Sequence, residues 1–177
     1  LGDVYKRQER AYLESLFGQA RFIDSAVQLV KPAPPGKPKN WQVYRDRFIE
    51  PIRIAAGVRF WNENGDALAR AEAAYGVPAE IIVGIIGIET IYGRDTGKFR
   101  VFDTLATLAF AYPETPNRAA RMDFFRGELA NTLLLARKHQ VDPFSLLGSF
   151  AGAVGMPQFM PGSILNYGVD FDKDGRT

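Results

Sequence analysis

The chain has 177 residues, room for one domain with a smaller lobe, and its 46% hydrophobic content, with 13 Phe and 7 Tyr, suffices for a packed core. A net charge of +2 without a long block of like charge argues against nucleic acid or an anionic membrane surface as the main partner. The absence of Cys excludes disulfides, thiol nucleophiles and thiolate metal sites.

In chain order, residues 1–8, Leu1-Gly2-Asp3-Val4-Tyr5-Lys6-Arg7-Gln8, read as a translated sequencing adaptor or as a native polar tail, and are set apart from functional reasoning. From residue 10 to 30 apolar residues recur at helical spacing, predicting one amphipathic helix or two short ones. Residues 31–40 hold Pro32, Pro34, Pro35 and Pro38, which predicts an extended connector. Trp41, Tyr44, Phe48 and Ile52 then predict a short helix, a bend at Pro51 and a second helix running to Gly76, a C-terminal cap residue.

Pro78 opens the next predicted helix, which Glu89 closes. Its apolar residues lie on all sides, so a helix buried in the core is expected. Gly84 and Gly87 lower helix propensity by about 1 kcal/mol each, which predicts close approach by another element or a ligand. Three helices follow: from Asp103 as N-cap to about Ala111, from Asn117 to about His139, and a short one after Asp142-Pro143. Short strands are expected at most around residues 98–102 and 167–171. The fold class is mainly α with little or no sheet. The expected division is a tail at 1–8, an N-terminal helical region at 9–75 with the connector at 31–40, and a core region at 76–177 that ends inside a loop and reads as truncated.

Glu89 stands near the end of the most apolar run, and a carboxylate buried there is costly to ionise, as a general acid must be. Its alternative is a head turned into solvent. Downstream, Gly148-Ser149-Phe150-Ala151-Gly152-Ala153-Val154-Gly155-Met156-Pro157-Gln158-Phe159-Met160-Pro161 sets Ser149 and Gln158 among small and apolar residues. That composition fits the lining of a sugar groove, or a tightly packed structural turn. Asp95 and Asp103 are the nearest candidates for a partner carboxylate, with Asp103 better explained as a cap. His139, beside Lys138 at a helix end, reads as structural.

Asp170, Asp172 and Asp174, with Gly175 and the carbonyl of Arg176, match the start of an EF-hand loop, whose oxygen ligands sit at positions 1, 3, 5 and 7. Position 12 falls beyond Thr177, so weak Ca²⁺ binding or a solvated acidic turn are the two readings.

The pairing of Ile-Gly-Ile-Glu89-Thr-Ile-Tyr-Gly with Gly148-Ser-Phe-Ala-Gly-Ala-Val-Gly-Met-Pro-Gln158-Phe-Met-Pro resembles the membrane-bound lytic murein transglycosylase B family. Phe60-Trp61-Asn62, Tyr75-Gly76-Val77-Pro78 and the run from Phe102 to Pro113 extend the resemblance over roughly residues 13–177. It implies a lysozyme-like catalytic core with additional N-terminal helices. It also implies cleavage of the MurNAc-GlcNAc β-1,4 bond of peptidoglycan with 1,6-anhydro-MurNAc ends, Glu89 acting as the single general acid and base. By the same resemblance Ser149 and Gln158 contact substrate, and Tyr92, Phe150, Met156 and Phe159 line the groove or belong to the core. No cofactor is implied for the chemistry, and a structural Ca²⁺ is. Glycan strands are the implied partner, with cell-wall synthesis or division proteins beyond them, for a monomer in the periplasm whose outer-membrane anchor would lie upstream. Two alternatives stay open: a muramidase that hydrolyses the same bond, and a non-catalytic peptidoglycan-binding domain.

Overall fold

Helices begin and end where side chains or glycine can satisfy their terminal backbone groups. The computed structural model describes residues 10–32, 36, 40–175 and 177. The expected tail at 1–8, residues 33–35 and 37–39 of the connector, and Arg176 lie outside the described residues. The predicted helix over 10–30 is two, α1 (Arg10–Gly18) and α2 (Asp24–Leu29). Asn40 caps α3 (Trp41–Asp46) by accepting from Val43 N at 3.1 Å. Pro51 opens α4 (Pro51–Tyr75), and the Glu50 carboxylate accepts from Ile52 N and Arg53 N at 2.9 and 2.7 Å. At Asn64 the helix leaves helical geometry while the Asn64 amide donates to Phe60 O at 2.8 Å, so a side chain competes with the ladder at the kink. Gly76 closes α4 at φ 69°.

After Pro78 come α5 (Ala79–Thr90), β1 (Phe99–Arg100), α6 (Val101–Ala111), α7 (Arg118–His139), a 3₁₀ turn (Pro143–Ser145) capped by Asp142, β2 (Leu147–Gly148) and α8 (Pro161–Tyr167). The strands β1 and β2 pair antiparallel, Phe99 opposite Gly148. Two expectations fail here. No strand forms at 167–171, where α8 runs to Tyr167 instead. Nor is Asp103 an N-cap: Val101 N donates to Leu146 O at 2.9 Å, and α6 starts there with Arg100 as its N-cap, three residues earlier than expected, which puts Asp103 inside it.

The chain forms two compact units. Of the described residues, the larger comprises those within 1–32, 97–154 and 159–177, the smaller those within 33–96 and 155–158. The division expected after Tyr75 does not coincide with them, because α4 and α5 pack on each other within the smaller unit. In the larger unit α6 is the central helix, buried over nine consecutive residues, 101–109, by α2, α7 and the 3₁₀ turn. Phe102 meets the rings of Phe17 and Phe144 at 5.5 and 5.0 Å, and Tyr112 stacks on Phe125 at 5.7 Å. Glu128 on α7 accepts from Gly162 N at 2.7 Å, supplying the acceptor that the start of α8 needs.

In the smaller unit a lesser core holds Leu68, Ala79 and Val83, with Phe60, Ile82 and Tyr92 packed on it. The burial expected for the whole of α5 is not found. Ala79, Val83, Gly87 and Thr90 are buried on one face, while Ile81, Ile85 and Ile88 are about half exposed, at 51%, 48% and 53%. The reason is that α4 covers one side only. Among the described residues no single helix is long and apolar enough to cross a membrane, and α4 with α5 qualify only as a pair bent by 116°.

Candidate functional site

Glu89 is the penultimate residue of α5, and it is exposed. The desolvation expected from its apolar sequence is therefore absent from the described residues around it, since Glu89 lies off the face that α4 covers. Its neighbour Thr90 is 0% exposed. The chain then turns through three successive left-handed residues, Ile91 (φ 51°), Tyr92 (φ 59°) and Gly93 (φ 86°). A β-branched residue such as Ile91 adopts this region only when its surroundings enforce it, at a cost of about 1–3 kcal/mol.

Tyr92 supplies much of that enforcement. Its ring lies on Phe60, centroids 5.1 Å apart, and its hydroxyl end enters between two glycines, Gly57 on α4 and Gly87 on α5. A Cβ at Gly57 would stand 2.5 Å from Tyr92 Oη, and one at Gly87 closer still. This explains Gly87 as a close approach by the chain itself, whereas Gly84 has nothing within 4 Å of an added Cβ. Gly87→Ala is expected to destabilise the protein by about 1–2 kcal/mol, overpacking of about 1–3 kcal/mol being offset by up to about 1 kcal/mol of helix propensity. Denaturant unfolding checks it, and an accompanying Tyr92→Ala should abolish the penalty.

Beside this turn lies Gly155–Gln158, which belongs to the smaller unit although its neighbours in sequence do not. Thr90 Oγ1 donates to Met156 O at 2.9 Å and accepts from Gly93 N at 3.0 Å. The Gln158 amide nitrogen donates to Thr96 O at 3.2 Å and Gly155 O at 3.0 Å, leaving the amide oxygen to accept from a ligand. Gln158 itself is left-handed at φ 52°. The Met156 side chain is 43% exposed and lies over Gly93. A cavity of about 220 Å³ opens between α4 and the residues after α5, with Arg59, Phe60, Glu63, Tyr92 and Arg94 among its lining and Glu89 outside it.

Ser149, Phe150 and Phe159 lie in the larger unit. Ser149 Oγ accepts from Ala151 N and Ala153 N at 3.3 and 3.0 Å, which closes the loop and leaves its proton to donate outward. The small residues of this loop serve packing: a Cβ at Gly152 would meet Leu105 at 2.5 Å. Phe150 is half-buried and Phe159 is 41% exposed.

Of the other carboxylates, Asp103 is 1% exposed, paired with Arg100 (Nε to Oδ2, 2.9 Å) and accepting from Arg21 N at 3.0 Å. Asp95 is exposed and donates its backbone N–H to Thr90 O at 2.9 Å.

The arrangement of one carboxylate at a helix end beside a braced, glycine-rich turn carrying Gln can be compared with known proteins. The model of the transglycosylase SLT domain family matches residues 5–177. Membrane-bound lytic murein transglycosylase B of Escherichia coli (strain K12) is 49% identical over 176 residues, 94% of this chain and 47% of that protein. The chain belongs to the lytic murein transglycosylase B family. Among solved family members, soluble lytic transglycosylase SltB1 from Pseudomonas aeruginosa superposes with a TM-score of 0.87 at 52% identity, over 96% of this chain and 55% of that one. The Escherichia coli lytic transglycosylase Slt35 in complex with calcium gives 0.87 at 48% identity, over 98% of this chain and 53% of that one. The chain thus spans about half the length of these relatives, and the mainly α, lysozyme-like fold expected from the sequence is that of the family.

In this family member Asp170, Asp172 and Asp174 bring carboxylate oxygens within 4.8 Å of one another, in the larger unit. Asp170 also accepts from Asp174 N and Gly175 N at 3.1 and 2.9 Å, which curls the loop, with Lys173 and Gly175 left-handed at φ 64° and 88°. Arg176, the fourth residue expected there, lies outside the described residues. His139 Nε2 stands 3.1 Å from Thr177 Oγ1, a contact at the end of α7. Two contributors escaped the sequence reading, Gly57 and Thr90. A hydroxyl among isoleucines next to Glu89 was the available signal for Thr90. For Gly57, which acts through a contact 35 positions away, there was none.

Proposed function

We propose that this chain carries the catalytic core of a peptidoglycan lytic transglycosylase that cleaves the β-1,4 bond between N-acetylmuramic acid and N-acetylglucosamine. The observation that carries the reading is Glu89 at the end of α5 beside the braced Gly155–Gln158 turn, in a chain 49% identical to a murein transglycosylase. Glu89 donates its proton to the glycosidic oxygen as the C1–O bond breaks. The resulting carboxylate takes the proton of the muramic acid 6-hydroxyl while O6 bonds to C1. Glu89 ends as it began, and no water is consumed.

A single carboxylate suffices for this sequence of steps. Asp103 supports the reading by being engaged already, in the ion pair with Arg100. Gln158, through its amide oxygen, and Ser149, through its hydroxyl proton, are the proposed substrate contacts, with Tyr92 bracing the turn from within. Digestion of purified sacculi tests the proposal. Fragments one water lighter than reducing-end muropeptides are expected, and reducing ends alone would identify a muramidase. No cleavage, with sacculi still bound, would identify a binding domain. The glycan polymer, together with a relative named as membrane-bound, supports a place in the bacterial envelope.

Asp170, Asp172 and Asp174 are proposed to hold a structural Ca²⁺ through hard oxygen ligands. At a free Ca²⁺ concentration about 100 times the dissociation constant, the gain is about 2.7 kcal/mol. That amounts to a rise of roughly 5–10 °C in Tm. Asp172→Asn should lose most of this rise, and a Tm indifferent to Ca²⁺ would remove the ion from the account.

A further inference from the structure

We propose that Thr90 is a positioning residue for the reaction: its buried hydroxyl holds the end of α5, and with it Glu89, against the turn that carries Gln158. The assignment rests on the catalytic role given to Glu89 above. A threonine hydroxyl has one proton to give and two lone pairs to accept with. Thr90 Oγ1 has two carbonyls within range, Met156 O at 2.9 Å and Ile86 O at 3.4 Å. The shorter contact takes the proton, so the hydroxyl turns away from its own helix and binds a residue 66 positions along the chain. A lone pair then accepts Gly93 N at 3.0 Å, one of the amides that the left-handed exit from α5 leaves over.

Further bonds complete the brace. Thr90 O accepts from Asp95 N at 2.9 Å, and Gln158 returns to the same segment through Thr96 O at 3.2 Å. The Gly155–Gln158 turn is thus tied to the end of α5 through Met156 and to the segment after it through Gln158. Because Thr90 is 0% exposed, no water can replace a lost bond, and an isosteric apolar side chain would leave Met156 O and Gly93 N without their partner. The backbone that orients Glu89 and the backbone that orients Gln158 would then be free to separate. A displacement of about 1 Å at a reacting group can lower the rate by about 100-fold.

The test compares Thr90→Val, which removes the hydroxyl at constant shape, with Thr90→Ser, which keeps it. Cleavage of glycan strands is followed at a temperature where unfolding curves show both variants folded. Thr90→Val is expected to lower kcat by about 10–100-fold with a smaller change in KM. Thr90→Ser should recover the parent kcat to within about 3-fold, although it loses a buried methyl group. A purely structural role would lower the Tm of Thr90→Val and leave kcat per folded molecule unchanged, and that result overturns the assignment. If Thr90→Val does not fold, Thr90→Cys takes its place: its weaker donor should give an intermediate kcat, and a kcat equal to the parent's overturns the assignment equally. A parent chain that yields no anhydro ends overturns the catalytic reading and this assignment together. A parent that cleaves, with Thr90→Val just as fast, overturns this assignment alone.

Discussion

Glu89→Gln is expected to lower the rate of glycan cleavage by about 100- to 10,000-fold, the range that a positioned general acid and base contributes. The amide keeps the size and polarity of the side chain but has no proton to give and take, so binding of sacculi should survive while turnover is lost. Stability should change little, because Glu89 is exposed and lies off the buried face of α5. The two effects together separate a catalytic residue from a structural one. Equal solubilisation of sacculi by variant and parent would remove Glu89 from its role.

The second large effect is expected at the carboxylate that an inspection of charged residues would offer as a partner. Asp103→Ala should destabilise the protein by about 3–5 kcal/mol, since it leaves Arg100 without its counter-ion and Arg21 N without its acceptor in the core of the larger unit. Chemical denaturation measures this directly. Under conditions where the variant is folded, cleavage per folded molecule should stay within about 3-fold of the parent. A loss on the scale of Glu89→Gln, with the fold intact, would make Asp103 a second catalytic carboxylate and revive a two-carboxylate mechanism.

Helix ends were the most legible part of the fold, because Gly76, Pro51 and Asp142 act within a few residues of themselves. Burial was less so. The apolar sequences of α5 and α6 resemble each other, yet α6 is the central helix of the larger unit and α5 keeps Ile81, Ile85 and Ile88 half exposed. Sequence pattern records which residues could be buried, and the number of neighbours that a helix acquires decides how many are. Asp103 shows the same limit: three residues into α6, it looks like a cap, and its actual partners are Arg100 beside it and Arg21, 82 positions away.

At the site, Glu89 and Gln158 were legible through the residues around them, whereas the brace between them was not. Thr90 reaches Met156 across 66 positions, and Tyr92 fills a space made by Gly57 and Gly87 on different helices. The expected burial of Glu89 had its origin in the same local reasoning, which cannot see that α4 covers a single face of α5. Those tertiary contacts give the turn its left-handed geometry at Ile91 and Tyr92, which neither residue would adopt by preference.

The most direct test of a single carboxylate working without water is digestion of sacculi in water enriched in oxygen-18, with the new glycan ends read by mass spectrometry. Attack by the muramic acid 6-hydroxyl predicts anhydro ends that carry no label. Reducing ends carrying one oxygen-18 atom would contradict it, because the oxygen at C1 would then have come from solvent.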